Sequence, residues 1–243
     1  MSSQAQTAGP GANTRRTRDE GLQAAAASNI VLERTDVARG ALDEYEAFAT
    51  LIEPLDAADW DAPTRCDGFL VRDVAGHVVG LAEDVAKGVP GSRNAEEEAA
   101  SVRGDSPARV ATRLRTALGS IRPLLDALDD DMWDGPSGVP DLTFGRGVLT
   151  LWYDAYVHAD DIRTALGQPA ERGAGLAASV EYLAGELTAK GWGPATLALE
   201  GAARNDVGGG GREVTGDALQ FVLVATGRAD PASIGLEPDV NIY

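Results

Sequence analysis

Four long stretches of this 243-residue sequence carry apolar residues at the spacing of an α-helix. They span residues 30–54, 71–88, 106–128 and 144–166, with approximate limits. Pro54, Gly88 and Gly167 stop three of these segments, as proline and glycine typically do. Because no strand-like run separates the four segments, they predict a four-helix bundle in a mainly α chain.

The sequence after residue 172 changes character. A helical segment precedes "ATLALEG", whose alternation predicts a strand, and "NDVGGGGREV" predicts a turn between strands. "TGDALQFVLVATGR" is helical again, and "DVNIY" predicts a short closing strand. We therefore expect a disordered polar tail over residues 1–28, a helical bundle over 29–170 and a small α+β domain over 171–243.

Charge and cysteine content exclude several functional classes. A net charge of −17 repels phosphate backbones, so we expect no nucleic-acid partner, and the acidic run Glu96–Glu98 is expected to be a solvated face. No apolar run approaches the roughly 20 residues of a membrane span, and the first residues lack the apolar core of a secretory signal. A single cysteine, Cys66, fits a reducing compartment. We expect a cytoplasmic monomer or homodimer that binds no membrane.

The fourth helical segment contains "LWYDAYVHADDIR", which places polar groups beside a stripe of core residues. On a helical projection His158 falls within about 40° of Leu151, and Asp154 and Asp161 flank the same stripe. An ionised carboxylate that is buried without a partner costs several kcal/mol. A divalent cation would compensate this charge, and Asp154 and His158 lie one helical turn apart, so both can reach one ion.

His77, one of only two histidines in the chain, lies at the edge of the core-facing stripe of the second segment. Gly76 and Gly80 leave room beside it for the close approach of another group. His77, Asp154 and His158 form the two-histidine, one-carboxylate set of a catalytic zinc site with an open position. Two simpler interpretations stay open: each histidine could be a hydrogen-bonded structural residue, and the aspartates could pair with arginines.

The segment "TRCDGFLVRDVAGHVVG" resembles the N-terminal signature of the mycothiol-dependent maleylpyruvate isomerase family, whose members are DinB-like four-helix bundles. The resemblance is carried by Trp60, Pro63, Thr64, Cys66, Gly68, Val71, Arg72, Asp73, Val74 and His77. It continues along the fourth segment at Asp154, His158, Asp161 and Arg163, and in the C-terminal region at Gly216, Asp217, Ala218, Gly227 and Arg228. It therefore spans about residues 35–243 and implies a DinB-like bundle followed by a small α+β domain.

The resemblance implies a metal site and a thiol cosubstrate. In it, His77, Asp154 and His158 bind Zn²⁺ or another divalent cation, with mycothiol as the cosubstrate. Asp161 and Arg228 are the implied catalytic residues, and Arg228 is also the implied contact to the cosubstrate. A metal-bound thiolate would attack an electrophilic small molecule, giving either S-transfer or cis–trans isomerisation. Cys66 is expected to serve in packing.

Three positions depart from the family pattern. Phe69 stands in place of a tryptophan, Leu70 in place of a capping serine or threonine, and Asp154 in place of the glutamate of the isomerases. We expect a nearby aspartate to cap the helix instead. S-transfer is favoured over isomerisation because it requires less specific substrate geometry. The residues alone also fit a zinc hydrolase without thiol, a non-haem iron oxygenase, or a non-catalytic bundle that binds metal or ligand.

Overall fold

The computed structural model describes residues 31–140 and 142–243, so the predicted tail over 1–28 lies outside the described residues. The helices are α1 (Arg34–Ile52), α2 (Ala57–Trp60), α3 (Val71–Ala86), α4 (Ala95–Ala100), α5 (Pro107–Ala127), α6 (Asp130–Asp134), α7 (Phe144–Ala165), α8 (Ala174–Lys190) and α9 (Ala218–Ala225). The strands are β1 (Ala195–Glu200), β2 (Asn205–Val207) and β3 (Arg212–Asp217), and two 3-10 turns follow at Pro231–Ile234 and Pro238–Val240.

The four-helix bundle predicted from the sequence is confirmed. Helix α1 packs against α5 and α7, and α3 packs against the same two helices, so the four long helices close a ring. Apolar side chains fill its interior, among them Phe48, Val78, Leu114 and Ile162. The predicted limits of these helices differ from the observed ones by only a few residues.

Helix α7 is shared by every apolar cluster that the described residues form. Ile162 belongs to the bundle core, and Trp152 belongs to a second cluster at one end of the bundle. Tyr153 and Tyr156 pack with α8 and the strands in the C-terminal core. Helix α7 is therefore packed against the bundle core on one side and against the C-terminal core on the other. A domain boundary near residue 170 stays a prediction.

The C-terminal region has the predicted α+β character. Its sheet has the order β2–β1–β3, with β2 antiparallel and β3 parallel to β1, and α8 and α9 pack against each other beside it. The predicted strand over "DVNIY" is wrong. Pro238–Val240 forms a 3-10 turn instead, because the backbone N–H groups of Val240 and Asn241 bond back to Glu237 and Pro238.

The polar connection after α3 contains a helix that its sequence did not indicate. Asn94 caps the first turn of α4, which spans Ala95–Ala100. The prediction that Glu96–Glu98 is a solvated face is wrong for Glu98, which is only 2% exposed. Gly80 explains the burial, because a Cβ atom there would lie 2.6 Å from the Cβ of Glu98. Across the described ranges we find no helix whose length and apolar character would suit a membrane crossing.

Candidate metal centre

Helices α3 and α7 bring His77, Asp154 and His158 together, as the sequence predicts. The Nε2 atom of His77 lies 3.4 Å from Oδ1 of Asp154, and the Nε2 atom of His158 lies 3.5 Å from the same oxygen. The two imidazole rings are nearly perpendicular, at 85°, with centroids 5.0 Å apart. Both histidines therefore direct the same ring nitrogen towards one carboxylate.

The helix that carries His77 begins without a capping side chain at Leu70. Its backbone N–H is satisfied instead by Asp73, whose Oδ2 accepts it at 3.1 Å. Asp73 therefore supplies only the reciprocal half of a capping box, and no side chain of the described residues accepts from the first N–H groups inside the helix.

The spacing of these ligand atoms fits a metal ion. Two ligands of a tetrahedral zinc ion lie about 3.3–3.5 Å apart when metal–ligand distances are about 2.0–2.1 Å. A direct N–H···O hydrogen bond is shorter, at about 2.9 Å. The remaining oxygen of Asp154, Oδ2, is buried and has no hydrogen-bond partner among the described residues. An unsatisfied buried carboxylate oxygen beside two converging nitrogens is what a cation would complete.

Electrostatics couple the three residues strongly. Burial by itself lowers the pKa of both histidines, but the charge of Asp154 outweighs it; the pKa of His77 is raised to about 9, and that of His158 well above its usual value. Burial likewise raises the pKa of Asp154, but the two imidazolium charges hold that pKa well below its usual range. Without a metal, protons therefore occupy the imidazoles, and a cation that binds there must displace them.

Asp161 lies one turn beyond His158 on α7 and is completely buried. Its Oδ2 accepts a hydrogen bond from Nδ1 of His158 at 2.9 Å. Arg228 donates to both oxygens of Asp161 from Nε and Nη2, at 2.8 and 2.6 Å, and Nε of Arg65 donates to Oδ1 at 2.6 Å. No motif in the sequence indicated this role for Arg65. Because Arg228 follows α9, this network ties the C-terminal region to α7 next to the candidate metal ligands.

Cys66 completes this network. Its thiol donates to Oδ2 of Asp161 at 3.1 Å and lies 4.0 Å from Nδ1 of His158. Cys66, His158 and Asp161 are thus close enough to be a second set of metal ligands. His77, Asp154 and His158 are the better candidate, because Asp161 is already compensated by two arginines.

His77 has a buried hydrogen-bond partner that the sequence did not indicate. Its Nδ1 lies 2.7 Å from Oε2 of Glu98 on α4. The close approach expected beside Gly76 and Gly80 is confirmed, since a Cβ atom at Gly76 would lie 2.9 Å from the Cα of Ala99. These two glycines, one turn apart on α3, are the sequence signal that could have indicated a partner for His77.

Known proteins resemble this chain in sequence and in fold. The profile of the family described as "Mycothiol maleylpyruvate isomerase N-terminal domain" matches residues 41–163, a range that contains His77, Asp154 and His158. A crystal structure of the mycothiol-dependent maleylpyruvate isomerase superposes with a TM-score of 0.58, and that of a histidine-to-alanine mutant of the enzyme with 0.53. In both, 17% of residues are identical, and the match covers 87% of this chain and 90% of the other. The expected DinB-like fold is thereby confirmed. No curated protein matches the sequence.

Proposed function

The chain belongs to the mycothiol maleylpyruvate isomerase family, and we propose that it is a metal-dependent enzyme that uses mycothiol to attack an electrophilic small molecule. In this proposal His77, Asp154 and His158 hold Zn²⁺ or another divalent cation. The observation that carries it is the convergence of two Nε2 atoms on Oδ1 of Asp154, at 3.4 and 3.5 Å, beside the unpartnered Oδ2.

The residues around this centre have separate roles. His77, Asp154 and His158 would hold the cation, and a thiol bound to it would lose its proton at neutral pH and become a strong nucleophile. Asp161 accepts from Nδ1 of His158 and so keeps Nε2 of that ring directed at the centre. Arg228 holds Asp161 in place with two donors. Its Nη1 donates to the carbonyl oxygen of Thr226, and we assign the other N–H of Nη1 to an anionic group of the thiol or the substrate.

The reaction that we propose forms a bond between the sulfur of mycothiol and an unsaturated carbon of the substrate. The π bond to that carbon breaks, and its electron pair takes up a proton to replace the one that the thiol has lost to solvent. In S-transfer this carbon–sulfur bond persists in the product. In cis–trans isomerisation the bond breaks again after rotation about the adjacent carbon–carbon bond, and the thiol is regenerated. We favour S-transfer because Asp154 replaces the longer glutamate of the isomerases and because S-transfer requires less specific substrate geometry.

The test is thiol consumption by the zinc-loaded full chain, incubated with mycothiol and a panel of electrophiles, maleylpyruvate included. We expect thiol to disappear above the blank with at least one electrophile, and the His158→Ala variant to show only the blank rate. Glu96→Gln, a change at an exposed residue of α4, is the matched control and should retain the full rate.

Three other outcomes have different consequences. Turnover of maleylpyruvate that requires mycothiol but consumes none would indicate isomerisation, and would overturn only the preference for S-transfer. Turnover of an ester or amide without any thiol would indicate a zinc hydrolase. No turnover with any electrophile, together with tightly bound metal, would indicate a bundle that binds metal without catalysis.

A further inference from the structure

We propose that Glu98 is the positioning residue of His77, in that it accepts the Nδ1 proton and thereby leaves Nε2 free for the cation. This inference rests on the proposed function, because it assigns a role at the same metal centre. Nothing in the family resemblance pointed to Glu98, which lies in a segment whose sequence reads as a polar connection.

The first argument is the burial of Glu98. Its side chain is 3% exposed, and Oε2 lies 2.7 Å from Nδ1 of His77. Among the described residues, His77 is its one ion-pair partner within 4.0 Å. A buried carboxylate is costly unless it is paired and hydrogen-bonded, so the pairing with His77 explains the burial of Glu98.

The second argument is how the backbone brings Glu98 to this position. A Cβ atom at Gly80 would lie 2.6 Å from the Cβ and 2.9 Å from the Cα of Glu98, and one at Gly76 would lie 2.6 Å from Val102. Helix α4 can therefore approach α3 this closely only because both positions are glycine. Glycine inside a helix costs roughly 0.5–1 kcal/mol relative to alanine, and here its absence of a side chain serves the approach of Glu98.

The third argument is the symmetry of the two histidines. Asp161 engages Nδ1 of His158 and Glu98 engages Nδ1 of His77, so each ring has one buried carboxylate on the side away from Asp154. A partner at Nδ1 fixes which nitrogen carries the proton and which one is free for a metal. Asp161 on α7 and Glu98 on α4 thus both place the proton on Nδ1 and leave Nε2 free.

The test is the zinc affinity of the full chain, measured by competition with a chromophoric chelator. We compare wild type, Glu98→Gln, Glu98→Ala and the matched control Glu96→Gln. Loss of a residue that orients a metal ligand typically weakens binding by about 10–100-fold. We expect about tenfold weaker zinc binding for Glu98→Gln, which keeps the shape and one acceptor oxygen, and up to about 100-fold for Glu98→Ala. The control should bind as wild type does.

A second readout separates positioning from mere packing. In the zinc-loaded protein, the Nδ1 proton of His77 should give a slowly exchanging, downfield NMR resonance that moves in Glu98→Gln and is lost in Glu98→Ala. Because Glu98→Gln preserves the packing and keeps an acceptor for Nδ1, it carries the test even where Glu98→Ala fails to fold.

The outcomes distinguish this inference from the proposed function. Wild type that binds zinc, with both Glu98 variants within twofold of it and the His77 resonance unmoved, would overturn the inference alone. Wild type that binds no zinc would overturn the proposed function, and with it the role of Glu98. Weakened binding in the Glu98 variants, with an unchanged Glu96 control, would support the inference.

Discussion

Asp154 and Asp161 lie two turns apart on the same helix, and their surroundings differ sharply. Asp161 is fully buried and accepts hydrogen bonds from His158, Cys66, Arg65 and Arg228. Asp154 has only long contacts to two imidazoles, and one of its oxygens has no partner among the described residues. One carboxylate is compensated by arginines of the chain, whereas the other meets only two imidazoles and, in our proposal, a bound cation.

This difference indicates that the two ends of this part of α7 contribute to different properties of the protein. The Asp161 end anchors the C-terminal region to the bundle and holds His158, so its interactions should contribute mainly to stability. The Asp154 end is paired only with two imidazoles, so its contribution to stability should depend on their protonation, and its interactions should also appear in metal binding. Each prediction below tests whether the two ends separate in this way.

The largest effect should follow from Asp161→Asn. This change leaves Arg228 with an uncompensated buried charge, whereas Arg65 keeps its ion pair with Asp160. Breaking a buried ion pair by removing one partner costs about 3–5 kcal/mol. We expect the free energy of unfolding of the metal-free protein to fall by about that amount in urea denaturation. Asp154→Asn is the matched control, and above pH 9, where His77 has lost its proton, it should cost clearly less. Equal losses in the two variants at that pH would contradict the proposed difference between the two carboxylates.

The second effect is a dependence of stability on pH. The folded-state pKa of His77 is about 9 against an ordinary value of 6.5. A raised histidine pKa stabilises the fold fully below the unfolded pKa, and this stabilisation is lost as pH rises through the folded pKa. The metal-free protein should therefore lose about 3 kcal/mol between pH 6.5 and 9, at about 1.4 kcal/mol per pKa unit.

Two controls sharpen the pH prediction. Asp154→Asn should flatten the slope, because the charge of Asp154 is what overcomes burial and raises the pKa of His77. The zinc-loaded protein should show no such loss, because zinc replaces the protons and binds more tightly as pH rises. A metal-free protein whose unfolding free energy stays constant from pH 6.5 to 9 would contradict the coupling. The arginines around Asp161 do not titrate in this window.

A smaller effect should follow from Gly80→Ala. The new Cβ would meet Glu98 at 2.6 Å, and overpacking of this kind costs about 1–3 kcal/mol. Gly119, inside α5, has no atom within 4 Å of where a Cβ would be, so Gly119→Ala should stabilise the fold by about 0.5–1 kcal/mol. Thermal melting of both variants checks the prediction. A stabilising Gly80→Ala would show that α4 does not pack as closely as described.

The sequence predicted the long helices well because their signals are local. Apolar spacing and terminal residues such as Pro54 and Gly167 act within a few turns of each helix. The helical spacing of Asp154 and His158 also made their proximity predictable. His77 could be added only as the remaining histidine and through the family resemblance, because spacing within one helix carries no information about a second helix.

The partners of the site residues were not predictable for the same reason. Glu98 and Arg65 are 21 and 95–96 positions away from the residues they contact. Glu98 stands in a run of three glutamates, where charge alone favours solvent exposure. Glu98 is buried, unlike its neighbours Glu96 and Glu97, only because α4 packs against α3 at Gly76 and Gly80. The strand predicted at "DVNIY" failed similarly, because its backbone groups are satisfied by turn bonds and by Ala225.

The most direct test of the account is the metal content of the full chain purified without a histidine tag, measured by elemental analysis. We expect about one zinc per chain in wild type and in Glu96→Gln, and essentially none in His158→Ala, because the loss of one of three protein ligands leaves two. Equal zinc content in wild type and His158→Ala, or none in either after reconstitution with Zn²⁺, would contradict the claim that Asp154 awaits a cation.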